Sequence, residues 1–185
     1  MDKRIVKTKN NISNALLKLI EMKSAREITV KEIAELAEIE RKTFYLHYNC
    51  IEDVYKDIEN NINEQLIAEA NKYIKTNYKI TDIFNNLNKV IMNNIVFFKS
   101  VSKNDSYSFL LHSFENILSN IIYKIARENY NIKSNNLKFY TDFYAAGIVK
   151  LYTSWLKDET NLTLDELTII VTRACFLSVD ELSKE

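Results

Sequence analysis

Residues 29–48, TVKEIAELAEIERKTFYLHY, decide the fold of this chain. The stretch predicts two short helices joined by a tight turn. Thr29 opens the first helix with a capping box, because Glu32 lies three residues later and can return the hydrogen bond. Small and branched apolar residues follow on the inner side of that helix: Ile33, Ala34, Leu36 and Ala37. Alanines allow two helices to cross steeply and closely, so the pattern indicates a helix-turn-helix.

The second short helix, from about Arg41 to His47, concentrates side chains that suit contact with DNA. Two adjacent cations in its first turn can reach guanine edges or phosphates in a major groove, while hydroxyl and ring donors can bind phosphates. Thr29 can offer its hydroxyl and backbone N–H to a phosphate at a helix N-terminus. Phe44 is the expected core anchor, and His47 could equally be a half-buried residue that caps helix carbonyls. The predicted DNA-binding residues are Thr29, Arg41, Lys42, Thr43, Tyr45, His47 and Tyr48.

Composition predicts an all-α fold. The 185 residues include one glycine and no proline, which sheets and tight turns both need, and 46% are hydrophobic. A glycine-rich phosphate loop is excluded by the same count, and the chain has no HExxH motif, nucleophile elbow or clustered metal ligands. We therefore expect a protein that is not an enzyme and needs no cofactor or metal.

Charge is balanced overall but unevenly distributed. Residues 1–48 hold 10 Lys/Arg against 7 Asp/Glu, and the remainder hold 15 against 18. This difference suits a basic DNA-reading head on an acidic body. Cys50 and Cys175 stand far apart without a metal-binding pattern, and there is neither a long apolar run nor a signal-peptide core. The expected protein is soluble and cytoplasmic, with no membrane partner.

Hydrophobic periodicity predicts about nine helices. Their approximate ranges are 8–23, 29–37, 41–47, 49–74, 81–98, 106–112, 114–130, 135–156 and 163–182. Asn49 with Glu52, and Thr163 with Glu166, offer further helix starts with side-chain caps. The predicted domains are a helix-turn-helix DNA-binding domain at 1–50 and a helical effector-binding and dimerisation domain at 51–185.

A known family shares the pattern of the N-terminal stretch. The residues concerned are Thr29-Val30-x-x-Ile33-Ala34-x-x-Ala37 and Lys42-Thr43-Phe44-Tyr45-x-His47-Tyr48. They resemble the DNA-binding signature of the TetR family of bacterial transcriptional regulators. The resemblance implies a sequence-specific, effector-responsive repressor that binds a palindromic double-stranded operator as a homodimer. It further implies that the two last helices form the dimer interface and that the helices before them enclose a ligand pocket.

The chain departs from the family pattern around the turn. Glu38 replaces the usual turn glycine, so a residue with a side chain is expected in a costly backbone conformation. Glu40 replaces the Ser or Thr that usually caps the recognition helix, and is a poorer cap. Lys42 replaces a second common glycine and adds a positive charge. Ile51 stands where a lysine often contacts phosphate.

The C-terminal region is rich in aromatic residues. We expect these residues, Phe139, Tyr140 and Phe143 among them, to lie in its interior. A pocket for a small apolar or aromatic effector could be built from them, although ordinary helical cores use the same residues. The candidate pocket residues are Phe84, Phe98, Phe109, Phe114 and Tyr144. Glycine inside a helix costs about 1 kcal/mol relative to alanine, and close approach at a dimer interface would compensate for it. The candidate interface residues are Gly147, Leu151, Trp155, Ile170 and Ala174.

A second reading of the chain remains open. The protein could be a DNA-bound co-activator or scaffold whose C-terminal module binds a protein partner instead of a small molecule. That reading predicts an exposed apolar patch beyond the dimer interface and no closed pocket.

Overall fold

Nine α-helices and no strand make up the part of the chain described by the computed structural model, residues 3–76, 79–104 and 107–182. A 3-10 turn at Ala25–Glu27 follows the first helix. The helices are α1 (Lys3–Met22), α2 (Val30–Leu36), α3 (Arg41–Tyr45), α4 (Ile51–Asn71), α5 (Ile80–Asn93), α6 (Ile95–Lys103), α7 (Ser108–Asn129), α8 (Leu137–Leu156) and α9 (Leu164–Leu182). The predicted all-α class is confirmed.

The chain divides into two compact units, Met1–Ile62 and Asn63–Glu185, and the division falls inside α4. We call them the N-terminal and the C-terminal unit. In the N-terminal unit α2 packs against both α1 and α3. The side chains that fill its core have almost no exposed surface: Ile12, Leu16, Ile33, Phe44, Val54 and Tyr55.

Two of the predicted helix starts are confirmed. The Thr29 hydroxyl accepts a hydrogen bond from the Glu32 backbone N–H at 3.3 Å, and the Glu32 carboxylate accepts from the Thr29 N–H at 3.0 Å. The same reciprocal pair joins Thr163 and Glu166, at 3.2 and 2.8 Å. Each box satisfies backbone donors that the first turn of a helix leaves unpaired.

The predicted pairing of Asn49 with Glu52 is wrong. Helix α4 begins at Ile51, and the backbone N–H of Asn49 donates at 3.0 Å to the carboxylate of Asp53, one residue further along. The backbone hydrogen bond from Asn49 lowers the pKa of Asp53, whereas burial raises it. The hydrogen bond is the larger effect, so the Asp53 pKa is lowered overall.

The helices of the C-terminal unit are bounded differently from the prediction. The stretch 81–98 is not one helix: α5 ends at Asn93 and α6 begins at Ile95. Between them, the Asn94 side chain donates to the Val90 carbonyl at 2.8 Å, a local bond that competes with helical pairing. The separate helices predicted at 106–112 and 114–130 form the single helix α7, because Ser113 does not interrupt it; the predicted start at Ser106 lies outside the described residues.

A buried chain of hydrogen bonds links three helices of this unit. The Tyr152 hydroxyl of α8 donates to the Asn88 side-chain oxygen of α5 at 2.5 Å, and the Asn88 amide donates to the Thr168 hydroxyl of α9 at 2.6 Å. Thr168 in turn donates to the Leu164 carbonyl at 2.7 Å. Burial raises the pKa of Tyr152 to about 12, so the hydroxyl remains a donor at neutral pH.

The expected aromatic interior is only partly correct. Phe84, Phe98 and Phe114 are buried, but Phe139 is 75% exposed and Phe143 is 73% exposed. Tyr140 and Phe109 are also exposed. Helix α8 carries apolar residues on nearly every side, so its periodicity does not identify the face that packs inward.

Candidate nucleic-acid interface

The short helix α3 is held by two aromatic rings that point into the N-terminal unit. Phe44 is completely buried and Tyr48, just after the helix, is 4% exposed. Their ring centroids lie 5.8 Å apart. The predicted core role of Phe44 is confirmed, and the two rings fix which side of α3 faces outward.

Tyr48 is held further by polar partners on α1 and α4. Its hydroxyl donates to an Asp57 carboxylate oxygen at 2.6 Å, and the Lys9 ammonium contacts the two oxygens of that carboxylate at 3.2 and 3.3 Å. The same ammonium lies 5.0 Å from the centre of the Tyr48 ring. Burial, together with the bond to Asp57, raises the Tyr48 pKa above its usual range. Tyr48 was predicted to contact DNA, but its ring is buried and its hydroxyl donates to Asp57, so the folded chain does not expose it as a phosphate donor.

The outward side of α3 and of its C-cap residue carries four exposed residues: Arg41, Lys42, Tyr45 and Leu46. We call this set the reading face. The Arg41 guanidinium donates to the Tyr45 hydroxyl at 3.2 Å and lies 5.6 Å from its ring centre. Thr43 and His47 are half-buried at the edges of this face. The reading face therefore combines two cations, a phenol and an apolar side chain on one short helix.

Leu46 is the member of this face that the sequence analysis missed. Its surface is 73% exposed, although the core anchor Phe44 is only two residues away. Successive helical residues are about 100° apart, so position 46 lies about 200° from Phe44, on the opposite side. This helical phase relative to Phe44 could have predicted from the sequence that Leu46 is exposed. An exposed apolar side chain in a major groove can contact the methyl group of thymine.

Thr29, predicted as a phosphate contact, is exposed at the start of α2, but both of its donors are occupied by Glu32. The hydroxyl donates to the Glu32 carboxylate at 2.8 Å, and the backbone N–H donates to the same oxygen at 3.0 Å. Lys23 also contacts Glu32, at 2.6 Å. Hydrogen bonds from Lys23 and then from Thr29 lower the Glu32 pKa to about 2. A phosphate at this position would have to displace the Glu32 carboxylate.

The turn between α2 and α3 has the predicted strain. Glu38 has a φ of 55°, in the left-handed region where a side chain is costly. Glu40 is the N-cap of α3, and its side chain makes no capping hydrogen bond. Both expectations for this turn are confirmed. The exposed carboxylates of Glu38 and Glu40 lie immediately before the cations of the reading face in the chain.

The candidate pocket residues lie around two cavities in the C-terminal unit. Phe84 lines both, Tyr144 lines the first, and Phe98 and Phe114 line the second. Phe109 lines neither cavity and is 45% exposed, so its predicted place in a pocket is wrong.

Four of the five candidate interface residues are exposed on the last two helices: Gly147, Leu151, Ile170 and Ala174. Trp155 is half-buried against the core of the C-terminal unit. A Cβ built on Gly147 would meet no atom of its own chain within 4 Å. Close packing inside the described chain therefore does not account for this glycine.

Residues 78–175 match the family of TetR-type C-terminal regions described as "Transcriptional regulator C-terminal region". The match covers more than half of the chain. The protein belongs to the TetR family of transcriptional regulators.

Solved structures of TetR-family regulators share the fold. A TetR-family transcriptional regulator from Syntrophomonas wolfei has a TM-score of 0.77 at 17% identity, covering 94% of this chain and 95% of that one. A TetR transcriptional regulator from Streptococcus agalactiae has a TM-score of 0.66 at 22% identity, covering 94% and 96%. The dihydroxyacetone kinase operon activator DhaS has a TM-score of 0.74 at 20% identity, with the same coverage of 94% and 96%.

No curated protein sequence matches this TetR-family chain closely enough to count as a relative. None of the helices in the described part combines the length and apolar character needed to cross a membrane.

Proposed function

We propose that this TetR-family protein regulates transcription by binding a specific double-stranded operator through the reading face of α3. The observation that carries the proposal is the orientation of α3, with Phe44 buried and Arg41, Lys42 and Tyr45 exposed. The N-terminal residues of a recognition helix are those that enter the major groove, where arginine and lysine can bind guanine edges. Thr43 and His47, at the edges of the reading face, are proposed to contact phosphates.

The proposed active form is a homodimer that joins through α8 and α9. The exposed apolar residues of these helices support this: Phe139, Phe143, Leu151, Ile169 and Ile170. Residues 139, 143, 147 and 151 are four apart and share one side of α8. A second copy of the chain packing on this side would remove Phe139 and Phe143 from water, and the absence of a side chain at Gly147 would allow close approach. Regulators of this family form dimers and bind DNA.

We propose that the protein is a repressor released by an effector that binds in the C-terminal unit. Two recognition helices engage a palindromic operator when the half-site centres are about 34–36 Å apart, or a multiple of that. An effector that binds more tightly to a dimer with a different spacing shifts the population away from DNA. The two apolar cavities of this unit support effector binding. The family's regulators are generally not enzymes, which agrees with a role in binding alone.

An activator is the second candidate. One structure with a similar fold is named an operon activator. In this version the protein stays on DNA and its C-terminal unit contacts a protein partner. The presence of cavities favours effector binding, because the partner version needs none.

The proposal of specific DNA binding is tested with purified protein and sheared genomic DNA. The wild-type protein is expected to retain a few palindromic sites at a salt concentration that releases the remaining DNA. Lys42→Ala should lose this enrichment, since one good base contact is worth about 1–3 kcal/mol. Lys133→Ala removes an exposed charge from the C-terminal unit and serves as the matched control. Equal enrichment by wild-type and Lys42→Ala proteins would contradict the proposed role of the reading face.

The proposed dimer is tested by sedimentation. Gly147→Leu adds a side chain that meets nothing in its own chain, so the variant should fold. It should nevertheless dissociate at concentrations where the wild-type protein is dimeric, because the new side chain enters the interface. Phe109→Ser, at an exposed position on α7, is the control and should remain dimeric. A Gly147→Leu protein with unchanged dimerisation would refute the interface.

A further inference from the structure

The two cavities of the C-terminal unit share part of their wall. Cavity I has a volume of about 60 Å³ and cavity II about 80 Å³. Both are lined by Phe84 and Leu87 of α5 and by Leu118 of α7. These three side chains, here called the partition, stand between two spaces that are otherwise lined by different residues. Removing the partition would therefore join the two cavities into one space.

The lining of both cavities is apolar. No lining residue that the structure describes carries a charge, and most are aliphatic or aromatic. Two of the polar groups are already satisfied: the Tyr152 hydroxyl of cavity II donates to Asn88, and the Thr141 hydroxyl of cavity I donates to the Lys138 carbonyl at 2.9 Å. Burial also raises the pKa of the Cys175 thiol in cavity I to about 12, so that group is neutral. Burying a charged group here would cost more free energy than contacts with the apolar lining could offset.

Each cavity alone is small. A buried water needs about 10–15 Å³ of such space, so either cavity holds only about four to eight water-sized spheres. Of the partition residues, Phe84 and Leu87 are almost fully buried. Leu118 is half-buried. Leu118 thus has the most room to change rotamer, a movement that costs far less than shifting a helix.

We propose that cavities I and II are two halves of one site, which binds a single elongated, uncharged molecule with an alkyl chain when Leu118 turns away from the partition. This rests on the effector response proposed above and specifies the chemistry of the effector. A linear chain fits the arrangement because it can fill two small adjoining spaces in sequence. A compact ring system would fill only one of them.

The site is tested by titrating the full-length protein, without DNA, with straight-chain primary alcohols of 4 to 10 carbons in a calorimeter. Burying each further methylene should raise affinity about fourfold. The rise is expected to continue across the whole series, and the longest alcohols should bind once per chain. A rise that stops at intermediate length with two molecules bound per chain would mean two separate cavities and would overturn the proposal. Absence of binding along the whole series would also overturn it.

Variants at Leu118 test the partition itself. Leu118→Ala shortens one of the three partition side chains, so long alcohols should bind several-fold more tightly while the affinity for the shortest alcohols is unchanged. Leu118→Phe blocks the passage and should abolish the gain from chain length while short alcohols still bind. Leu118→Met keeps the volume and is the control, with circular dichroism checking that each variant is folded. Equal chain-length dependence in all three variants would overturn the role of Leu118.

These outcomes are independent of the DNA-binding proposal. If the alcohols bind as expected but never change retention of genomic DNA, the binding site stands and the effector-released repressor is refuted. If the alcohols fail to bind while specific DNA retention is observed, the elongated site is refuted and DNA binding stands.

Discussion

Replacing Tyr48 by phenylalanine removes one buried hydroxyl and leaves the ring that supports α3. The hydroxyl donates at 2.6 Å to a carboxylate, and hydrogen bonds to charged groups contribute about 1.5–3 kcal/mol. The Asp57 side chain is 38% exposed and keeps its ion pair with Lys9, so water can replace part of the lost interaction. We therefore expect a loss of about 1–1.5 kcal/mol, at or just below the lower end of that range.

The loss should appear locally as faster hydrogen exchange at the end of α3. The backbone N–H groups of His47 and Tyr48 both donate to the Phe44 carbonyl, at 2.9 and 3.0 Å. If opening of this segment depends on the anchor, a change of 1–1.5 kcal/mol makes these amides exchange about 5 to 13 times faster. Mass spectrometry of a peptide that covers residues 44–50 measures the rate directly.

Tyr45→Phe is the matched control, since it removes the same atom from a tyrosine three residues earlier, at the end of α3. Tyr45 is 47% exposed and its hydroxyl accepts from Arg41 on the surface. Exchange should stay within about twofold of wild type, because exposed interactions of this kind are worth a few tenths of a kcal/mol. Equal protection in Tyr48→Phe and wild-type proteins would refute the anchoring role of the Tyr48 hydroxyl. So would an equal effect of both substitutions.

Three further predictions concern other particular interactions. Glu38→Gly should stabilise the N-terminal unit by about 0.5–1 kcal/mol in denaturant unfolding, because it relieves the left-handed conformation, whereas Glu38→Ala should not. The Glu32 pKa is lowered from 4.5 to about 2, chiefly by the hydrogen bond from Lys23, so the contribution of Glu32 to folding stability is fully present above pH 4.5 and is lost as pH falls towards 2. The difference in thermal midpoint between wild-type and Glu32→Gln proteins should therefore shrink as pH falls across that interval. A difference that stays constant would contradict this. Tyr152→Phe leaves the buried Asn88 oxygen without its donor and should cost about 1–3 kcal/mol of unfolding free energy, whereas an unchanged free energy would argue against the buried chain.

Short-range chemistry explains why the N-terminal unit was largely predictable. The capping box at Thr29 depends on residues three apart, and the conformation of Glu38 depends on its place in the turn. Burial of Phe44 follows from its helical phase. Each of these is set within a few residues, so the sequence alone contains the required information.

Longer-range features were not predictable in the same way. The partner of Tyr48 is a carboxylate nine residues away, and that carboxylate is completed by Lys9, 48 residues from Asp57. Local patterns contain no signal for such a cluster. The sequence therefore suggested an exposed phosphate donor at Tyr48, while the folded chain buries it.

The C-terminal unit shows the limit of periodicity most clearly. Phe139 and Phe143 were expected inside because aromatic residues usually are, yet both are exposed. A helix that is apolar on nearly every side can be satisfied by its own core on one side and by another surface on the other. Only the packing of α6, α7 and α9 against α8 decides which side remains open.

The most direct test of the central claim is selection of bound sequences from a library of random double-stranded DNA. The account predicts that wild-type protein enriches one motif with two-fold symmetry, whose half-sites lie about 10 base pairs apart or a multiple of that. A library that shows no shared motif after repeated rounds, with weak binding lost at moderate salt, would indicate only non-specific electrostatic attraction and would contradict specific recognition by α3.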